Sequence, residues 1–182
     1  MLYSIENKNI YHSKLDINIA KKASNIILDH QNKFNQNTWN CQVRTSKAIY
    51  DNILNLKELH ELKINTISHI ENYMHLNNNF IDGYIHESWI NIYEKNFYQE
   101  FHTHENFVNK YYSGVIYLTN DNSEIEFDVS FRKTIKPEFS DILIFPDNYP
   151  HRVSPNLNEN LRISLAFNYL LCNKTNDSLN LK

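Results

Sequence analysis

Near residue 80 the chain changes period, and that change limits what it can fold into more than any other feature. Upstream, apolar residues recur every three or four positions. In the stretch from about Asp16 to Lys33, Ile19, Ala23, Ile26, Ile27 and His30 trace one face of an amphipathic helix. Between about Leu56 and Leu76, Leu59, Leu62, Ile67, Ile70, Tyr73 and Met74 trace another. Charged residues such as Lys57, Glu61, Lys63 and Glu71 lie between the apolar positions, which predicts packing of the stripe against a sheet. His60, His69 and His75 are expected on or beside the solvated face.

After the asparagines at 77–79 the pattern turns to short β segments. These are 83–93, 111–119, 125–131, 134–135, 141–145, 151–153 and 161–169. A polar cluster at 119–123 marks a turn. Short strands at this spacing predict a sandwich or barrel. A first strand is expected within residues 1–12, built on Leu2, Ile5, Ile10 and Tyr11, and a strand or ordered loop over 39–46. The predicted class is α+β, mainly β. It has a helical support region over 1–80, a β core over 81–170 and a tail over 171–182, in one domain.

Composition narrows the function. With 182 residues the chain can bury a sizeable core, and 41% hydrophobic against 21% charged residues fits a globular protein. A net charge of −3 supplies no basic face for a nucleic-acid duplex, so no specific nucleic-acid binding is expected. Cys41 and Cys172 are too few for a disulfide framework and lack zinc-site spacing. The N-terminus does not read as a secretory signal, and no run approaches the roughly 20 apolar residues of a membrane span. The expectation is a cytoplasmic protein without membrane association. The apolar N-terminal helix stripe could cover the sheet or meet a second copy, which leaves a homodimer open.

The candidate chemistry starts at His102-Thr103-His104. In an extended segment, residues i and i+2 share a face, so two imidazoles lie side by side, one way a β-scaffold can present two ligands to one metal ion. His151 follows 151 − 104 = 47 residues later, at the end of a strand that stops at Pro146 and Pro150. Arg162 and Ser164 then share one face of a strand otherwise made of Leu161, Ile163, Leu165 and Phe167. An arginine in so apolar a strand needs an anionic partner, because an unpaired buried charge is very costly. Its fork suits a carboxylate held by two hydrogen bonds, with the neighbouring hydroxyl adding a third.

These pieces, in this order, resemble the 2-oxoglutarate- and Fe(II)-dependent oxygenases, a jelly-roll superfamily, and are most like its small bacterial and phage members. The matching segments are Trp89-Ile90-Asn91, His102-Thr103-His104, Ser113-Gly114-Val115-Ile116-Tyr117, Phe145-Pro146 with His151, and Arg162-Ile163-Ser164. The match spans about residues 83–169. The resemblance implies a double-stranded β-helix core with the N-terminal helices packed on the sheet. It implies His102 and His151 as iron ligands and Arg162 with Ser164 on the far carboxylate of 2-oxoglutarate. Tyr93, Asn91, Ser113 and Tyr117 would be further cosubstrate contacts, while Trp89 and Phe145 read as core.

The implied reaction is oxidative decarboxylation of 2-oxoglutarate with dioxygen, coupled to hydroxylation of a small-molecule or peptidyl substrate. The wider superfamily usually places Asp or Glu where His104 stands. His104 is taken as the third ligand, with Glu105 or Asp128 as alternative sources of a carboxylate. Segments 147–150 and 104–110 are expected as covers over the site. Two rival readings are a cupin-like metal enzyme that does not use 2-oxoglutarate and a jelly-roll binding protein without turnover.

Overall fold

The computed structural model describes residues 10–37, 41–78, 82–105, 111–120, 124–130 and 132–172. Two helices lie in the first half. Helix α1 (Ile17–His30) starts where the Asp16 carboxylate accepts from the amides of Asn18 and Ile19, at 2.8 and 3.1 Å. These are two of the amide donors that a helix start leaves without partners. Its buried face is Ala20, Ala23, Ser24 and Ile27, and a 3-10 turn over Gln31–Lys33 finishes the predicted stretch. Helix α2 (His60–Leu76) buries Leu62, Thr66, Ile70, Tyr73 and Met74. Its His60 and His75 are exposed, whereas His69 is half-buried, with Nδ1 2.9 Å from the Tyr11 hydroxyl.

Eleven strands are described: β1 (Tyr11–Lys14), β2 (Asn35–Asn37), β3 (Val43–Thr45), β4 (Gly83–Tyr93), β5 (Gln99–His102), β6 (Tyr111–Tyr117), β7 (Ile125–Asp128), β8 (Arg132–Ile135), β9 (Asp141–Pro146), β10 (His151–Val153) and β11 (Arg162–Leu171). They form two antiparallel sheets, ordered β1-β9-β6-β11-β4-β3-β2 and β5-β10-β7-β8. From β4 onward the chain passes repeatedly from one sheet to the other, which is the winding of a double-stranded β-helix. The fold is a jelly roll with helices on one face. Strands β1, β2 and β3 come from the region read as helical support, so the large sheet draws on both sides of residue 80. The expected first strand begins only at Tyr11. Leu2, Ile5, the tail from Asn173 and parts of the 39–46, 104–110 and 119–123 segments lie outside the described residues.

Side-chain alternation sorts the large sheet into two environments. Ile163, Leu165 and Phe167 of β11, Ile90 and Ile92 of β4, and Ile142 and Ile144 of β9 join the core shared with α1 and α2. On the other face Tyr117, Leu143 and Phe145 pack against Ile125, Phe127 and Ile135 of the small sheet. Between the sheets lies the cavity that holds the polar residues singled out above. Among the described residues no helix is long and apolar enough to cross a membrane.

Candidate metal centre and the adjoining cavity

His102 is the last residue of β5 and His151 the first of β10, and the antiparallel register sets them directly opposite each other. Their rings are the closest pair of the three, with centroids 4.3 Å apart. His104 lies just beyond the end of β5, with its ring centroid 5.2 Å from each of the other two. One ligand atom from each histidine lies within 4.8 Å of the other two, close enough to converge on one ion. Among the described residues no carboxylate belongs to this group, and both Glu105 and Asp128 are exposed.

All three Nδ1 atoms have protein partners, which leaves the Nε2 atoms as the candidate ligands. His102 Nδ1 lies 2.9 Å from the Glu100 carbonyl and His151 Nδ1 2.9 Å from the Tyr149 carbonyl. A carbonyl only accepts, so each of these Nδ1 atoms carries the hydrogen. His104 Nδ1 lies 2.9 Å from both Asn168 Oδ1 and Ser113 Oγ. Burial holds all three imidazoles neutral. It lowers His104 to about 4 with help from His102, drives His151 well below the usual histidine value with help from both neighbours, and lowers His102. Neutral imidazoles with defined tautomers are what a divalent first-row metal requires.

Segment 147–150 ties the cluster down. The Asp147 carbonyl accepts from the His104 amide at 2.9 Å, Tyr149 holds His151, and the Pro150 carbonyl accepts from the Asp128 amide at 2.9 Å. This loop, expected as a cover, holds the His104 backbone and the His151 ring.

Arg162 opens onto the same cavity although it is only 2% exposed. Its guanidinium carbon stacks 4.2 Å from the Tyr93 ring centroid, and one terminal nitrogen donates to the Ser154 carbonyl at 3.1 Å. Among the described residues its Nε has no hydrogen-bond partner and no carboxylate pairs with it. A buried cation in that condition is a strong anion receptor.

Register explains the neighbours. Tyr93 sits opposite Arg162, while Ser164 is flanked by Asn91 on β4 and Tyr117 on β6. All of them line the cavity, together with Trp89 and Phe145, which sequence alone assigned to the core. The Tyr93 hydroxyl donates to Gln99 Oε1 at 3.1 Å, and burial pushes its phenol up, so it remains a donor. Ser113 sits behind His104, in contact with that ring and with Asn168. The cleft encloses some 490 Å³, open mouth included.

Sequence reasoning missed Asn168 and Glu87. The Asn168 amide nitrogen donates to Glu87 Oε1 at 2.6 Å, and Glu87 also lies 3.5 Å from the Lys47 ammonium. The signal was present on β11, where Arg162, Ser164 and Asn168 fall on alternate positions of one face.

No protein-family model and no curated protein matches the sequence. Solved structures do. A prolyl-4-hydroxylase from Pseudomonas putida superposes with a TM-score of 0.70 at 13% identity, over 90% of this chain and 93% of its own. A prolyl hydroxylase from Trichoplax adhaerens, in complex with a hypoxia inducible factor peptide fragment, gives 0.68 at 13% identity over 90% and 84%. The epimerase SnoN, in complex with Fe3+, α-ketoglutarate and nogalamycin RO, gives 0.65 at 11% over 89% and 78%. The likeness runs through nearly the whole chain, and the fold is that of the 2-oxoglutarate- and Fe(II)-dependent oxygenases.

Proposed function

We propose that the protein is an Fe(II)- and 2-oxoglutarate-dependent dioxygenase that hydroxylates a small-molecule or peptidyl substrate. One observation carries the reading: a buried guanidinium with no anionic partner among the described residues shares a cavity with three neutral, converging imidazoles. His102, His104 and His151 would hold the metal through Nε2. Arg162 would pair with the far carboxylate of the keto acid, with the Ser164 hydroxyl beside it. Asn91 and Tyr117 flank that hydroxyl, Tyr93 supports the guanidinium from below, and Ser113 acts through His104. When bound, the ferrous ion and 2-oxoglutarate supply oxidative decarboxylation by dioxygen, giving succinate and carbon dioxide and leaving one oxygen atom for the substrate.

The chain's own part is to bind, orient and exclude water. Three neutral ligands leave the ion one unit more positive than the usual pair of histidines with a carboxylate, and the dianionic cosubstrate offsets that charge. Hydroxylation is favoured because two of the three named structural relatives are hydroxylases, one with a peptide bound; the epimerase shows that the fold also serves another outcome. A cupin-like enzyme without 2-oxoglutarate would leave Arg162 buried with nothing to neutralise. The test is succinate formation from 2-oxoglutarate in air with added Fe(II). Slow turnover without substrate is expected; no succinate from protein shown to be folded overturns the reading.

A further inference from the structure

The three rings differ in how their tautomers are fixed. His102 and His151 face backbone carbonyls, which can only accept. His104 faces the Asn168 side chain, and an amide can present either an oxygen or an NH₂ group. Turned one way, Asn168 accepts from Nδ1–H and leaves the Nε2 lone pair for a metal. Turned the other way it donates to Nδ1, moves the hydrogen to Nε2 and removes the ligand. Ser113 does not decide between these, because a hydroxyl donates or accepts as required.

Glu87 decides. Its carboxylate only accepts, and at 2.6 Å from Asn168 Nδ2 it commits that end of the amide to donation. Oδ1 must then point at His104. Ser113 conforms by donating to Oδ1 at 2.8 Å. Glu87, Asn168 and Ser113 are one cross-strand row over β4, β11 and β6, so the relay is built into sheet register. We infer that Glu87, acting through Asn168, is a positioning residue that locks His104 as an Nε2 ligand, the third position of the metal site. The inference rests on the ligand role proposed for His104 and is independent of 2-oxoglutarate.

The experiment reads the tautomer directly in metal-free protein, by long-range ¹H–¹⁵N NMR of the imidazoles, with His104 identified by its loss in His104→Gln. The wild type is expected to show His104 as Nδ1–H. Glu87→Gln keeps an acceptor and is expected to keep that tautomer. Glu87→Met removes the acceptor and is expected to bring in the Nε2–H form, with Co(II) affinity by chelator competition about 10- to 100-fold weaker. Asn168→Asp combined with Glu87→Met supplies an acceptor next to the ring and is expected to restore Nδ1–H. Glu87 is partly exposed, so these variants should fold, and Glu87→Ala is the second choice. His104 in the Nε2–H form in the wild type overturns the relay. So does Nδ1–H with unaltered Co(II) affinity in both Glu87→Met and Glu87→Ala. Either result leaves the Arg162 reading intact, and an absence of 2-oxoglutarate binding leaves the relay intact.

Discussion

At the scale of the residue, the site sets three ionisable rings in a largely buried cleft and relies on burial to keep them neutral. That has a cost at acid pH. His104 titrates near 4 in the folded chain, against an ordinary value of about 6.5 when unfolded. Between those values the unfolded chain binds more protons, so stability is full above about pH 6.5 and declines as pH falls toward 4. His151 and His102 shift in the same direction and add to the loss. Metal-free protein is therefore expected to lose stability between pH 7 and 5, with His104 alone contributing on the order of 2 kcal/mol. Urea titrations at the two pH values check this. His104→Gln should reduce the loss, and equal losses in both proteins would contradict the assignment.

At the scale of the element, β11 does most to organise the molecule. It is central in the large sheet, paired with β4 on one side and β6 on the other. Its odd-numbered residues Ile163, Leu165 and Phe167 bind the helical layer, while Arg162, Ser164 and Asn168 serve the cavity. Its partner β6 makes room by using glycine. A Cβ on Gly114 would lie 2.2 Å from the tip of the fully buried Phe167 ring, the residue opposite it in register. Gly114→Ala is expected to cost about 1–3 kcal/mol, the usual range for overpacking, read as a lower midpoint in chemical unfolding. An unchanged midpoint would mean that Phe167 has room to move. A separate reading of metal affinity would show whether strain in this row reaches Asn168, the next residue along β11.

At the scale of the whole molecule, local and long-range information separate cleanly. Both helices were legible because their apolar stripes repeat within a few residues, and most β segments beyond residue 83 because alternation is equally local. Strands β2 and β5 lack such a pattern: Asn35–Asn37 is wholly polar and Gln99–His102 has Phe101 alone. The His-x-His pair was visible as a motif, yet its geometry was not, since His102 meets His151 through sheet register and His104 leaves the strand. Glu87 and Asn168 stand 168 − 87 = 81 residues apart, and only the pairing of β4 with β11 makes them one unit. Arg162 was legible for the opposite reason, because a cation in an apolar strand signals a missing partner in any fold.

The proposed site takes a metal on three histidines and a keto diacid on Arg162. Anaerobic titration of Fe(II)-loaded protein with 2-oxoglutarate tests both halves together. A weak visible charge-transfer band should grow and saturate in the wild type, with Arg162→Ala still binding Fe(II) but needing at least about tenfold more 2-oxoglutarate. No band in the folded wild type, or an Arg162→Ala titration that matches it, would contradict the account.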